Sequence, residues 1–327
     1  MDFRPVSRKH LFLIVSITAL GATLASGCNK SEETPPGVGK PSSAPPIVNA
    51  TTPNVELTPL IKAVQSGGLS EVKSQISGGA DVNGAAPNGT TPLMHATSVE
   101  VAQFLLDKGA KVDATDQLGR TALDYAAGDN DRMLGRGAPG PAASGAASSQ
   151  DKGADLVKLL LKHHADPNAA SKDGTTPLMT VIVRRKILSG PQDFSGSEQA
   201  RVAKVQALLA AGANVNAATK METPDHLSAG ATPLMALAME ANEDPALAKI
   251  LLDKGADVNA KDQDGNTALI AAARKGYAGL VQILIEHKAD VNVRNNQGAT
   301  ALSQASRMKS SGLLKCVDLL TKAGAKG

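Results

Sequence analysis

The stretch from Asp262 to Arg294 reads DQDGNTALIAAARKGYAGLVQILIEHKADVNVR, and it carries a turn and two short helices. Thr267 is placed to cap the first helix, because its hydroxyl accepts from first-turn amides that have no intrahelical partner. Leu269, Ala272 and Ala273 share one side of that helix, and the small alanines let a second helix approach closely. Leu280, Val281, Ile283, Leu284 and Ile285 form the second helix, the more apolar of the two. The polar run KDQDG at residues 261–265 has the composition of a turn. A unit this small cannot bury its apolar face alone, so it must stack on copies of itself.

The copies are present. Thr-(Pro/Ala)-Leu recurs at Thr58, Thr91, Thr121, Thr176, Thr232, Thr267 and Thr300, spaced 33, 30, 55, 56, 35 and 33 residues apart. Pro suits the position after the cap, where its missing N–H costs nothing. Each copy runs on into an apolar helix and then a closing segment: Gly79–Asn83, Gly109–Asp113, His164–Asn168, Gly212–Asn216, Gly255–Asn259 and Lys288–Asn292, with Gly324-Ala325 at the end. A glycine there fits the left-handed position that terminates a helix. This two-part pattern resembles the ankyrin repeat, a 33-residue unit of turn plus two helices, over about 270 residues.

The resemblance implies a mostly α fold, an ankyrin-repeat solenoid of about seven stacked helix-turn-helix units with finger-like turns. It also implies protein binding through finger tips and the concave face of the first helices. The matching positions are Gln117, Leu118 and Arg120 in the third repeat, and Lys172, Asp173 and Thr175 in the fourth. In the sixth they are Gln263, Asp264, Asn266, Arg274 and Lys275, and in the seventh Asn296, Gln297, Arg307 and Met308. Taken singly, most of these are solvated polar residues. Binding hot spots favour Trp, Tyr and Arg. Trp is absent and Tyr125 and Tyr277 are the only tyrosines, so the expected interface is polar or of modest affinity.

The array is irregular in places. His164 and Lys288 stand at the glycine position, where a side chain in the left-handed region costs about 1–2 kcal/mol. The second repeat is short. The third and fourth are long, with extra residues near 128–152 and 184–199 between their two helices, and a third insertion near 219–229 lengthens a finger. Residues 128–152 are rich in Gly, Ala, Ser and Pro and read as a loop. Phe194 is placed to anchor the second insertion. Each insertion is either a partner contact or tolerated drift.

Ahead of the array lies a different kind of sequence. Arg4, Arg8 and Lys9 precede an apolar run from Leu11 to Leu24, which as a helix spans about 21 Å against the ~30 Å hydrocarbon core of a bilayer. That favours a signal peptide over a transmembrane anchor. The run ends in Leu24-Ala25-Ser26-Gly27-Cys28, which resembles the lipobox of bacterial lipoproteins, with Ala25 where Leu is commonest. The resemblance implies cleavage after Gly27 and diacylglyceryl attachment at Cys28; Asn29 then leans toward the outer membrane. The alternative is an ordinary secretory signal with an incidental cysteine. Residues 1–27 are thus read as the signal, and 28–55 as a Pro/Ser-rich tether with six prolines. The tether spans roughly 30 Å as a coil and about 80 Å as polyproline helix. The repeat domain follows at 56–327.

Composition agrees with this division. The 327 residues carry a net +3, from 34 Lys+Arg against 31 Asp+Glu, and loss of residues 1–27 lowers it to +1. A chain so near neutrality lacks the basic stripe that nucleic-acid binding needs. Aromatics make up 2%, so the core is aliphatic. Cys28 and Cys316 are too far apart for a metal motif, and Cys316, among Leu313, Leu314, Val317 and Leu319, reads as a packing thiol. His95 reads as structural. His163 and His164 point apart on a helix, and no Cys or carboxylate recurs around them with metal-ligand spacing. The turn Asp262–Asn266 lacks the terminal Glu of a calcium loop.

No catalytic constellation emerges. The sequence predicts a non-enzymatic, lipid-anchored protein-binding scaffold of the bacterial envelope, monomeric, needing no cofactor or metal. A narrower form is an inhibitor or immunity protein that occludes a toxin or envelope enzyme. The enzyme alternative rests only on the inserted loops.

Overall fold

Every Thr of the repeated Thr-(Pro/Ala)-Leu motif sits in extended backbone just ahead of a helical turn, and this sets the architecture. The computed structural model describes residues 57–128, 149–183, 195–224, 227–307 and 310–326. The signal, Cys28, the tether, Phe194, His226 and Met308 lie outside them. The described residues form helices and connecting turns, with no strands among them.

The helices pair in chain order. The first repeat holds α1 (Pro59–Ser66) and α2 (Leu69–Ser77); the second a 3₁₀ turn (Pro92–His95) and α3 (Val99–Asp107); the third α4 (Ala122–Ala127) and α5 (Ser149–Lys162). The fourth holds α6 (Pro177–Ile182) and α7 (Ser195–Ala210), and the fifth α8 (Pro233–Met239) and α9 (Pro245–Asp253). The sixth holds α10 (Ala268–Lys275) and α11 (Ala278–Glu286), and the seventh α12 (Ala301–Ala305) and α13 (Ser311–Lys322). These seven pairs stack as a solenoid, each packed on the next.

The caps work as the sequence suggests. Thr58 Oγ1 accepts from Ile61 N at 3.2 Å, Thr267 from Ile270 N at 3.3 Å and Thr300 from Ser303 N at 3.1 Å. The short second repeat has lost a turn of its inner helix, leaving only the four residues of the 3₁₀ segment. His95 lies within that segment, 1% exposed, with Nε2 2.9 Å from Thr90 Oγ1 and Nδ1 2.8 Å from Gln65 Nε2. It bonds a turn on one side and the first repeat on the other, a structural role.

The core is aliphatic and continuous from repeat to repeat. Leu105, Leu123, Leu160, Leu178, Ile182, Leu208, Leu234 and Leu237 are almost fully buried, each contributing about 1.5–3 kcal/mol by leaving water. Tyr125 is the one aromatic among the largest fully buried described side chains. Cys316 is buried, and burial raises its thiol to about 11, which keeps it protonated and inert. In the seventh repeat Ser303, Ser306, Ser310 and Ser311 are exposed.

Two expected loops are partly helical. α5 begins at Ser149 and α7 at Ser195, so the ends of the insertions near 128–152 and 184–199 lengthen these outer helices to 14 and 16 residues. The nine-residue α2, α3, α9 and α11 show the ordinary length. The described residues of the insertion near 219–229 bond within its finger. Thr223 N donates to Leu227 O at 3.0 Å, Thr219 Oγ1 donates to Ser228 O at 2.7 Å, and Leu227 is buried.

A ladder of asparagines stitches the closing segments together. Asn216 Nδ2 donates to Gly255 O at 2.9 Å while its Oδ1 accepts from Asp257 N at 2.8 Å. Asn83, Asn168, Asn259 and Asn292 repeat this two-bond rung. At Asp113 the rung is halved: its Oδ1 accepts from Asp166 N at 3.0 Å, but a carboxylate has no N–H to give. The carbonyl it would reach belongs to His164, which with Lys288 holds positive φ, 66° and 68°. Asp113→Asn is therefore expected to stabilise the protein by about 1 kcal/mol, the typical worth of one hydrogen bond. Urea denaturation checks this; an unchanged or lower midpoint would count against the ladder.

Candidate protein-binding surface

Between the closing segment of one repeat and the capped helix of the next, the chain makes a finger. Each finger closes on itself through a short backbone bridge: Asp116 N to Arg120 O, Ser171 N to Thr175 O, Asp262 N to Asn266 O and Asn295 N to Ala299 O, all 2.9–3.0 Å. At the bases of three of these fingers an Asp or Asn side chain accepts from amides further along, as Asp116 Oδ1 does from Leu118 N (2.8 Å) and Arg120 N (2.9 Å). In the Ser171 finger Asp173 accepts from Thr175 N. These turns explain the Asp/Asn-rich composition.

Neighbouring fingers are joined tip to tip. Gln117 N donates to Asn88 O (3.0 Å), Lys172 N to Leu118 O (2.8 Å) and Lys220 N to Asp173 O (2.8 Å). Gln263 N donates to Ala229 O (2.8 Å) and Asn296 N to Asp264 O (2.9 Å), so the lengthened finger keeps register with both neighbours. The result is one continuous edge running from the second repeat to the seventh.

Most sequence-predicted residues lie on this edge, and their side chains divide into two groups. Some hold the finger itself. Arg120 is half-buried, its Nε 2.8 Å and Nη2 2.7 Å from Asp116 Oδ2, its Nη2 2.6 Å from Tyr125 Oη, and its guanidinium 4.8 Å above the Tyr125 ring. Asp173 accepts from Ser171 Oγ and from Thr175 N (3.0 Å); partial burial alone would raise its carboxyl, but these bonds hold it below the usual range. Asn266 bonds Asp262 and Asn295, and Asn296 Nδ2 donates to Gln263 O. Gln117 Nε2 reaches Pro87 O at 2.7 Å, and Asp264 Oδ2 accepts from Ser228 Oγ at 2.9 Å. Thr175 is half-buried.

Others reach outward. Leu118 is 54% exposed, and Lys172, Gln263, Gln297, Arg274 and Lys275 are exposed. Arg274 and Lys275 sit in the last turn of α10, where cations suit the helix dipole. Arg307 is exposed beyond α12, with Nη1 3.4 Å from Gln304 Oε1. The sequence reading passed over Lys220 and Met221, which project from the lengthened finger; Met221 is 53% exposed. A large apolar residue beside a lysine at a turn was the available signal.

Among the described residues no cluster of three or more His, Cys, Asp or Glu side chains is arranged to hold a metal ion. No helix among them is long and apolar enough to cross a membrane.

Known proteins agree with this geometry. The sequence profile described as "Ankyrin repeats (3 copies)" matches residues 48–134, 144–262, 194–295 and 234–327. The chain is 34% identical over 121 residues to the mouse ankyrin repeat, SAM and basic leucine zipper domain-containing protein 1, covering 36% of this chain and 22% of that one. It is 40% identical over 111 residues to the Drosophila melanogaster neurogenic locus Notch protein, 34% of this chain and 4% of that one. The chain thus spans between a fifth and a third of the length of the first of these relatives and its counterparts in other mammals. Among solved structures, the ankyrin repeat domain of Bcl-3 superposes with a TM-score of 0.56 at 24% identity, covering 82% of this chain and 99% of that one. The human ASB11 ankyrin repeat domain gives 0.58 at 23%, covering 83% and 100%. Ankyrin repeats generally mediate protein–protein binding, and proteins built of them are typically non-enzymatic scaffolds. With the profile matched over most of its length, the chain belongs to the ankyrin repeat family.

Proposed function

We propose that this chain is a non-enzymatic, lipid-anchored scaffold of the bacterial cell envelope that binds one or more proteins along its finger edge. The observation that carries the binding role is the edge itself, held in register by backbone bonds from finger to finger while exposed side chains project from it. The anchor rests on Leu24–Cys28: a thiolate is the side-chain nucleophile that can be alkylated near neutral pH. Two or three acyl chains, at about 0.8 kcal/mol per buried CH₂, hold a protein on a membrane where one is marginal. The Pro-rich segment after Cys28 then lifts the array clear of the lipid, with the outer membrane favoured by Asn29. The scaffold works as a monomer. If its partner is a toxin or envelope enzyme, occupation of the edge makes it an inhibitor or immunity protein.

Two measurements test this. Cys28→Ser should abolish acyl labelling and leave an uncleaved precursor; continued cleavage to a soluble product would mean an ordinary secretory signal. Affinity purification of the full chain from envelope extract should recover a stoichiometric protein. Charge reversal of Arg274, Lys275 and Arg307 should cut that recovery by tenfold or more. Undiminished recovery would exclude this part of the surface.

A further inference from the structure

In the first six repeats the third residue of the inner helix fills a slot against its neighbours, while in the seventh that residue is the exposed Ser303. Ile61, Met94, Met179, Met235 and Ile270 occupy it in five repeats, and all five are buried. In the third repeat the slot holds Asp124, 1% exposed. One oxygen, Oδ2, accepts from Thr121 N at 2.8 Å and Thr121 Oγ1 at 3.0 Å; the other accepts nothing from any described residue. As in the seventh repeat, where Ser303 is exposed, this residue closes a capping box with the threonine before the helix. Here, however, a carboxylate is buried where five other repeats of the chain put a thioether or a hydrocarbon.

Among the described residues no cation forms an ion pair with it, although the charge of Arg120 acts on it. Arg120, in the same finger, is turned to Asp116 and the Tyr125 hydroxyl, and Tyr125 Oη donates to Asp116 Oδ2 at 2.8 Å. From the 3₁₀ turn, His95 is bound to Thr90 and Gln65. On α5, Asp155, Lys158 and Lys162 face solvent, and α6 carries no ionisable side chain. Lys204 of α7 approaches the far end of α4, its Nζ 3.2 Å from Ala127 O.

We propose that Asp124 is a proton-operated latch: protonated, it lets the third repeat close on its neighbours; ionised, it loosens that repeat and the finger joined to it through Thr121. Burial raises the carboxyl from 3.8 to about 7, against the opposing bonds from Thr121 and the charge of Arg120, with Asp116 adding to the rise. An acid raised on folding holds its proton in the closed state while the open state has lost it. The closed state is thus fully favoured below about pH 4, and that advantage disappears as pH rises through about 7. An effect of this latch on partner binding depends on the binding role proposed above. The proton linkage itself does not.

Hydrogen exchange on the full chain, corrected for intrinsic rates, tests it at pH 5.5 and pH 8. The opening constant of amides in residues 121–127 should rise about 30-fold between the two, the ratio set by a shift from 3.8 to about 7. Asp124→Asn, which keeps an acceptor for Thr121, should reduce that rise to less than threefold. Asp124→Met, copying Met179, should do the same if the Asn variant folds poorly. A pH response that survives in these variants, or none in the wild type, would overturn the proposal.

Discussion

Replacing Arg201 with methionine is expected to cost about 3–5 kcal/mol, the usual penalty for breaking a buried ion pair from one side. Arg201 is 8% exposed and lies on α7. Its Nη1 is 2.9 Å from Asp244 Oδ2, its Nη2 2.8 Å from Ile182 O and its Nε 3.2 Å from Val181 O. The two carbonyls end α6 just where the insertion begins, so the guanidinium closes a helix terminus that the regular turn would have closed. Asp244 caps α9, accepting from Leu247 N at 2.9 Å. One side chain thus ties both helices of the fourth repeat to the fifth. Methionine keeps the packing of the stem but strands Asp244 and two carbonyls. Because repeat arrays uncouple when one interface weakens, the urea transition should move to lower concentration and split in two. A single transition within 1 kcal/mol of wild type would show that Arg201 does not hold this joint.

Gly174→Ala attacks the same joint from the finger side. Gly174 has φ +87°, a left-handed conformation that costs a side chain about 1–2 kcal/mol. A Cβ there would also lie 2.5 Å from Lys220 N and 3.0 Å from Lys220 Cγ. Relieving that overlap adds about 1–3 kcal/mol, for a total of about 2–5. The atom displaced is the donor of the Lys220 N to Asp173 O bond, so the fourth and fifth fingers must separate. Partner recovery should fall with stability, whereas Gly79→Ala, with nothing within 4 Å of its Cβ, should lose stability by the backbone term alone. Equal effects at the two glycines would argue against close finger contact as the cause.

How much of this was legible depends on whether a feature is local. The capping threonines, the left-handed closers and the aliphatic helix faces follow from neighbours within four residues, and all seven pairs could be read from them. Even the strain at His164 and Lys288 was visible as a departure from glycine. Features made across repeats were not. Arg201 and Lys204 stand three apart on the buried face of α7, in step with Val205 and Leu208, and that apolar period was the only hint of their burial. Their roles depend on helix ends 19 or more residues away. Nothing in the neighbours of Asp124, an acid in a first helical turn, signals that it is buried. Among the finger residues, the sequence located Gln117, Asp173 and Asn266 correctly on the turns. It gave no means of separating side chains that brace a finger from those, like Leu118 and Lys172, that project from it.

Site-specific photocrosslinking in intact cells tests the binding claim most directly. A benzophenone side chain would be placed in turn at Gln263 and Gln297 on the finger edge and at Glu71 and Gln282 on the exposed outer helices. The expected result is one discrete crosslinked protein from both finger positions and none from the outer helices. Crosslinks confined to the outer helices, or absent at every position while the chain is folded and abundant, would contradict a scaffold that works through its fingers.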